Sequence, residues 1–166
     1  MSIQPFLIGS GWMEMRDGDD SCRAIFERHY SRYIYADGRK SKLFVGPGGK
    51  RVLMRADGSA LFAWRKFKSD AGEMGVNCAI FRNEGDELAS ALILEAESFA
   101  RDKWPTETRY YTYINPAEVK PTMFRGFPVW GWCFYKAGWK YHGVSKSGKI
   151  ILDKLVSPSP TESEGA

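Results

Sequence analysis

The chain has 166 residues, a length that suits one domain built around a single core. Hydrophobic residues make up 43% of it and charged residues 27%, which is typical of a globular protein in water. No apolar run reaches the length of a membrane span, and the N-terminus has neither the basic part nor the long apolar part of a secretory signal. We therefore expect a cytoplasmic protein that has no membrane partner.

Three cysteines and two histidines are the side chains that bear most directly on metal or thiol chemistry. Cys22, Cys78 and Cys133 are widely spaced, whereas a structural zinc site needs four clustered ligands. We interpret the cysteines as small buried residues in a reducing compartment, and we expect no metal site.

The net charge of +4 is modest, and its distribution is more informative than its size. Basic residues crowd into the first third of the chain and into a second cluster near its end. The first group is Arg16, Arg23, Arg28, Arg32, Arg39, Lys40, Lys42, Lys50, Arg51 and Arg55, and the second is Lys136, Lys140, Lys146, Lys149 and Lys154. These residues are either the solvated faces of ordinary elements or the electrostatic footprint of a polyanion such as DNA.

The first half of the chain predicts one helix and a set of antiparallel strands. Apolar residues recur at three- and four-residue spacing over 21–33, which predicts an amphipathic helix with Asp20 or Ser21 as its cap. A short strand is predicted over 43–45. The Asp57-Gly58 pair separates two apolar runs, and this pattern is typical of a β-hairpin.

The second half of the chain predicts the order strand, helix, strand, helix and hairpin. The predicted elements are a strand over 76–81, a helix over 87–103 capped by Asp86, a strand over 110–114, an irregular loop over 117–128, a short helix over 129–136 with Gly138 as its C′ residue, and hairpin strands at 139–142 and 150–152. Residues 157–166 predict a disordered tail behind a single domain of residues 1–156. The expected fold class is α+β, with a mixed, mostly antiparallel central sheet flanked by helices.

Two segments of the second half carry a possible cofactor chemistry. The turn that begins Arg82-Asn83-Glu84-Gly85 leads into the long helix, whose first backbone N–H groups are free to bind a phosphate. The segment Phe134-Tyr135-x-x-Gly138-Trp139 then places a phenol near the end of a short helix. Either segment alone could be an ordinary structural feature, a strand-to-helix turn or a core aromatic.

Together, and in this order of elements, the two segments resemble the cofactor-binding half of the GNAT superfamily of acyl-CoA-dependent N-acyltransferases. Arg82 and Gly85 match the superfamily pattern of Gln or Arg, two residues, and Gly, whereas Glu87 stands where that pattern has a small residue. The resemblance covers residues 76–155. It implies a GNAT-like fold in which acetyl-CoA or another acyl-CoA lies between the fourth and fifth strands.

The resemblance also implies a role for each site residue. An amine would attack the thioester, a backbone amide near Cys78 would stabilise the tetrahedral charge, and Tyr135 would return a proton to sulfur. The implied cofactor-binding residues are Arg82, Asn83, Glu84, Gly85, Asp86, Ala89, Ser90, Asn77, Cys78, Ala79 and Asn115.

The acceptor is suggested by a triplet in the first helix, His29-Tyr30-Ser31, which resembles the phage Mom-type branch of the superfamily. That branch modifies bases in DNA, and the resemblance implies that His29 removes a proton from the attacking amine. The aromatic residues Trp130, Trp132, Trp139 and Tyr141 lie among lysines, which suits either an extruded base or an ordinary sheet edge. A small amine or a protein terminus as acceptor, and a non-catalytic binding protein on the same scaffold, stay open as alternatives.

Overall fold

The computed structural model describes residues 6–7, 11–29, 43, 45–67 and 72–158. The strands are β1 (Phe6–Leu7), β2 (Trp12–Met15), β3 (Gly49–Arg55), β4 (Ala60–Lys66), β5 (Val76–Asn83), β6 (Arg109–Ile114), β7 (Thr122–Phe124), β8 (Phe127–Val129), β9 (Lys140–Val144) and β10 (Ile150–Leu155). The helices are α1 (Asp20–Phe26), α2 (Ala89–Lys103) and α3 (Trp132–Lys136).

Eight of these strands form one sheet in the order β1-β2-β3-β4-β5-β6-β10-β9, and β7 and β8 form a separate two-stranded sheet. Every neighbouring pair in the large sheet is antiparallel except β5 and β6, which are parallel. A parallel pair needs a crossover connection, and α2 supplies it. The expected α+β class with a mixed, mostly antiparallel sheet is confirmed.

The sheet separates two apolar cores. On one face, buried residues of α2 and α3 such as Ile93 and Phe134 share a cluster with Phe62 and Trp64 of β4. On the other face, buried residues of α1 share a cluster with Leu61 and neighbouring strand residues. Since successive strand residues point to opposite faces, β4 can serve both cores, and its first five residues are all buried.

A β-bulge in β5 interrupts this alternation. Ala63 of β4 lies opposite Ile80 and Trp64 lies opposite Cys78, so Ala79 is an extra residue with no register partner on β4. The bulge changes which residues face each core. Cys78 and Phe81 contact the α2 core, whereas Ile80 belongs to the α1 core.

The parallel pairing of β5 and β6 covers only their first residues. It runs from Val76 opposite Tyr110 to Cys78 opposite Thr112, where the Thr112 hydroxyl also donates to the Cys78 carbonyl at 3.0 Å. Beyond this point the pairing stops although β5 continues to Asn83 and β6 to Ile114. The two strands therefore diverge in the middle of the sheet, and the bulge residue Ala79 is the first residue past the last pair.

Several predicted elements are confirmed with shifted ends. The hairpin around Asp57-Gly58, the strand before the long helix, that helix, and the final hairpin are all present. Gly138 has φ +92° directly after the C-cap of α3, as expected of a C′ residue. The first helix begins one residue before the predicted start, and Asp19 caps it instead of Asp20 or Ser21, because the Asp19 carboxylate accepts from the amides of Ser21 and Cys22. It ends at Phe26, so residues 27–29 are not helical as predicted.

Other predictions are wrong. The long helix begins at Ala89 rather than at residue 87, and its N-cap is Leu88, so Asp86 does not cap it. The loop predicted over 117–128 contains β7, and β8 begins within it. No strand includes the described residues of 43–45, whereas β1 and β2 were not predicted at all. Residues 30–33 of the predicted first helix and residues 159–166 of the predicted tail lie outside the described residues.

Candidate active site

A cavity of about 220 Å³ lies where β5 and β6 diverge. Its walls come from both strands, from the start of α2, from α3 and the residues before it, and from the turn after α1. The lining residues are His29, Cys78, Ala79, Phe81, Asn83, Ala89, Thr112, Tyr113, Ile114, Val119, Gly131, Cys133 and Phe134. The cavity thus brings together five residues of the sequence-predicted site, namely His29, Cys78, Ala79, Asn83 and Ala89.

The N-terminus of α2 borders the cavity at Ala89. Leu88 makes no side-chain capping hydrogen bond, and the first turn of the helix has no acidic residue. Among the described residues, the amides of Leu88, Ala89 and Ser90 donate to no protein acceptor. These N–H groups and the positive end of the helix dipole give the site a preference for an anion.

The side chain of Asn83 holds the turn before α2 in a fixed shape. Asn83 accepts from the Gly85 amide at 3.1 Å and donates to the Glu87 carbonyl at 2.7 Å. The amide of Glu84 donates to Ser59 at 2.7 Å. Two amides of the predicted phosphate cradle, those of Glu84 and Gly85, are therefore already used, and the available donors begin nearer to the helix.

Gly85 is required for close packing. A Cβ atom built there would lie 2.7 Å from the Cβ atom of Ser59, in the turn between β3 and β4. The close approach of these two turns therefore explains why a glycine stands at position 85, independently of the match to the superfamily pattern.

Glu87 does not enter the cavity. Its carboxylate forms an ion pair with Arg55 of β3, and the same guanidinium lies 3.6 Å from Glu95 of α2. The acidic side chain that stands at the small-residue position of the motif is therefore neutralised outside the cavity. Ser90 is buried and does not line the cavity, and Asp86 is exposed and does not line it either.

Arg82 is engaged in an ion-pair network. Its Nε donates to the Glu84 carboxylate at 2.7 Å and its Nη1 donates to the Arg28 carbonyl at 2.7 Å. Arg28 donates to the same carboxylate at 2.6 Å. Hydrogen bonds from Arg28 and then Arg82 lower the pKa of Glu84 to about 2, so this carboxylate remains charged and joins the end of α1 to the turn before α2.

His29 follows α1 and is only 6% exposed. Burial and, to a smaller extent, the charge of Arg82 lower the pKa of His29 to about 4, against an opposing hydrogen bond with the backbone of Phe81. The imidazole is therefore neutral at pH 7, as a proton acceptor must be.

The buried imidazole makes the stability of the protein depend on pH. The folded-state pKa of about 4 lies below the ordinary value of 6.5, so the unfolded chain binds the proton more tightly. The contribution of the neutral His29 to the free energy of unfolding is therefore complete above pH 6.5. It is lost as the pH falls towards 4, and the free energy of unfolding decreases by about 3 kcal/mol.

We expect His29→Gln to flatten this part of the pH profile of the unfolding free energy, measured by urea titration between pH 4 and 7. The same substitution at the exposed His142 is the matched control and should leave the slope in place. A His29→Gln variant with the wild-type slope would show that His29 is not buried in its neutral form.

Tyr135 does not line the cavity, although its neighbours Cys133 and Phe134 do. Burial raises the pKa of the Tyr135 phenol, and the nearby Tyr141 adds to the effect. The tyrosine of the cavity wall is Tyr113 of β6. Burial also raises the pKa of the Cys133 thiol, so this group stays protonated near neutral pH.

Three further predicted site residues have other surroundings. The Asn77 side-chain oxygen is buried with no hydrogen-bond partner in the described residues, and Asn77 does not line the cavity. Asn115 accepts from the amide of Ala117 at 3.0 Å and so turns the chain after β6. Burial raises the pKa of the Cys78 thiol, which leaves it un-ionised in the cavity wall.

The described part of the basic first third is largely neutralised. Lys50 pairs with Asp17, Arg51 with Glu14 and Asp102, and Arg55 with Glu87. These pairs favour the solvated-face interpretation for this group. Arg32, Arg39, Lys40 and Lys42 lie outside the described residues.

The aromatic residues among the lysines differ in exposure. Trp139 is 1% exposed and belongs to the core, so it is not a stacking platform. Tyr141 is exposed, and Trp130 and Trp132 are half-buried. His142 is exposed and lies 3.3 Å from Asp153.

Several cavity residues were missed from the sequence. Thr112 belongs to the last parallel pair of β6 and Tyr113 follows it, near the end of a strand beside the crossover where ligands of such sheets bind. Gly131 lies between two tryptophans in the sequence, and a glycine in such a place indicates that other residues approach the backbone closely. A Cβ atom there would lie 2.4 Å from Ile114 and 2.7 Å from Leu152.

Comparison of the chain with protein-family models, with curated proteins and with solved structures finds no match. Fold and site together define an α+β protein with a ligand-sized gap between two parallel strands and an uncapped helix N-terminus beside it. In the described residues, no helix is both long enough and apolar enough to cross a membrane.

Proposed function

We propose that this protein is an acyl-CoA-dependent N-acyltransferase whose thioester lies in the gap between β5 and β6. The observation that carries the proposal is the coincidence of three features in one place. The parallel pairing ends at Cys78 and Thr112, a cavity opens there, and the free amides at the start of α2 border it.

The cofactor fits this arrangement by its chemistry. The diphosphate of an acyl-CoA would accept hydrogen bonds from the amides of Leu88, Ala89 and Ser90, at the positive end of α2. The slender, partly apolar arm of the cofactor would enter the cavity, whose walls include Phe81 and Phe134. The bulge at Ala79 leaves that residue outside the ladder, so its amide is the candidate donor to the tetrahedral oxygen.

The reaction would be direct transfer. The acceptor nitrogen forms a bond to the carbonyl carbon, the carbon–sulfur bond breaks, and the proton lost by nitrogen ends on the sulfur of CoA. The neutral imidazole of His29 would take the proton from nitrogen, a phenol would give its own proton to sulfur, and solvent would carry the proton of the imidazolium back to the phenolate, so that the net transfer is from nitrogen to sulfur. The Tyr113 phenol in the cavity wall, rather than the Tyr135 phenol outside it, is the better candidate to protonate sulfur.

The test is the binding of acetyl-CoA to an Ala89→Asp variant. A carboxylate at this position lies among the proposed diphosphate donors and should weaken the affinity about tenfold or more by charge repulsion. The same charge stabilises the start of a helix, so the unliganded protein should unfold at the wild-type temperature or above it. Isothermal titration and thermal unfolding with millimolar acetyl-CoA measure the two effects.

Ala91→Asp is the matched control. Ala91 belongs to the same first turn, but it is exposed and does not line the cavity. The affinity of Ala91→Asp for acetyl-CoA should be much closer to the wild-type affinity than that of Ala89→Asp. Equal losses in both variants, or no binding by the wild type, would contradict the proposed site, and the second result would favour a non-catalytic binding protein.

The acceptor in this proposal is an amine, and a base of DNA is our candidate for it. What supports this choice is the second basic cluster, in which Lys154 pairs with Glu97 but Lys136, Lys140, Lys146 and Lys149 are exposed and form no ion pair with the described residues. Binding of duplex DNA should weaken steeply with salt, because each phosphate contact releases a counterion. No binding at low salt would leave a small amine or a protein terminus as the acceptor.

A further inference from the structure

The β7–β8 hairpin exposes apolar side chains beside the cavity. Met123, Phe124 and Phe127 are 63%, 43% and 72% exposed. The pairing ends at Phe124 opposite Phe127, so Arg125 and Gly126 form a two-residue tip. Exposed apolar side chains that gather on one element mark an interaction surface.

The base of this hairpin is fixed to the cavity wall. Trp130, just after β8, donates from its indole nitrogen to the Val119 carbonyl at 2.9 Å, and Val119 lines the cavity. The Phe124 ring stacks on Trp132, the first residue of α3, with ring centres 4.8 Å apart. The hairpin is therefore anchored to the cavity wall through Val119 and to the start of α3 through Trp132.

The tip carries an unusual residue. Arg125 has φ +50° and is the one non-glycine residue with positive φ in the described part of the chain. Two-residue turns with positive φ at both positions favour Asn, Asp or Gly, and other side chains pay about 1–2 kcal/mol for this conformation. The Arg125 guanidinium lies 5.2 Å from the Phe124 ring, so the tip combines a cation with an aromatic surface.

The sequence segment that contains the hairpin carries only basic charges. The sequence from residue 119 to residue 152 has no Asp or Glu. Its basic residues, all exposed, are Lys120, Arg125, Lys136, Lys140, Lys146 and Lys149. This segment carries six basic and no acidic residues, and the whole chain has a net charge of +4, so the rest of the chain, with 18 basic and 20 acidic residues, is net negative by about two charges.

We propose that the β7–β8 hairpin is a wedge that inserts between base pairs of duplex DNA. Phe127 and Met123 would enter the base stack, while Arg125 and the acid-free surface would contact phosphates. A wedge of this kind unstacks the neighbouring bases, and an unstacked base can leave the duplex and enter a pocket. The hairpin begins and ends at the cavity rim, so it would present that base to the cavity.

This inference rests on the proposed function only where it assigns the extruded base as the amine acceptor. The insertion itself is independent of acyl-CoA. A duplex DNA that carries 2-aminopurine reports insertion directly, because the fluorescence of this base rises when it loses its stacking partners.

The full-length protein should bind the 2-aminopurine duplex at low salt and raise its fluorescence several-fold. The double variant Phe127→Ser/Met123→Ser should still bind with a steep salt dependence, but without the rise in fluorescence. Arg125→Asn, which suits the turn, should keep the fold and make the salt dependence shallower by about one unit of log–log slope. Leu155→Ser, at a 78% exposed leucine outside the hairpin, is the matched control and should behave as the wild type.

The inference would be overturned by any of three results. These are no binding of DNA at low salt, binding by the wild type with no rise in fluorescence, and an unchanged rise in the wedge variant. Equal fluorescence with a duplex RNA probe would overturn the assignment to DNA. Failure of acetyl-CoA to bind, together with a normal fluorescence rise, would refute the proposed function and leave the wedge standing.

Discussion

Replacing Gly75 with alanine should destabilise the protein by about 2–6 kcal/mol, the sum of a strained backbone and an overpacked contact. Gly75 has φ +120°, and a Cβ atom there would lie 2.4 Å from the carbonyl oxygen of Arg109. Gly75 precedes β5 and Arg109 begins β6, so this close contact lies where the parallel pair starts. A loss of this size is a large share of the stability of an ordinary domain.

Urea-induced unfolding of Gly75→Ala and Gly148→Ala tests this prediction. Gly148 also has positive φ, at +86°, but a Cβ atom there would meet nothing within 4 Å. Its substitution should cost only the backbone strain, about 1–2 kcal/mol. If the two variants lost the same stability, the contact between Gly75 and Arg109 would not be the feature that sets the start of the parallel pair.

Tyr113→Phe should lower the rate of thiol release from acetyl-CoA about 10²- to 10⁴-fold, the usual contribution of a positioned acid or base. Tyr113 lines the cavity and Tyr135 does not, so Tyr135→Phe should leave the rate close to that of the wild type. The rate is measured with duplex DNA or a simple primary amine as acceptor. Both variants retain the aromatic ring, so neither should unfold.

The reverse result would restore the role that the resemblance to the superfamily implies for Tyr135. Equal rates in both variants and in the wild type would mean that water protonates the leaving sulfur. In either case, unchanged acetyl-CoA affinity is the control that separates proton transfer from binding.

The hairpin of β3 and β4 and the order of the elements in the second half of the chain could be predicted because local signals are strong there. Asp57-Gly58 marks a tight turn, and α2 carries a long apolar stripe ended by Pro105. These signals depend only on neighbouring residues. The start of α2 was misplaced because Glu87 is drawn to Arg55, which is 32 residues away in the sequence.

The residues that line the cavity could be predicted only in part, because contacts between residues distant in the sequence decide which of them meet. His29 and Ala79 were candidates, whereas Tyr113 was not, since nothing local distinguishes it from Tyr111 on the same strand. The β7–β8 hairpin was missed because its tip has Arg125 where turn-forming residues are expected. The bulge at Ala79 depends on the register with β4 and leaves no signal in its own segment.

The most direct test of the account is a crystal structure with a non-cleavable thioether analogue of acetyl-CoA. We expect the diphosphate within hydrogen-bond distance of the amides of Leu88, Ala89 and Ser90, and the thioether between Ala79 and Thr112. An empty cavity with the analogue bound elsewhere, or no binding at millimolar concentration, would contradict the claim that the divergence of β5 and β6 creates an acyl-CoA site.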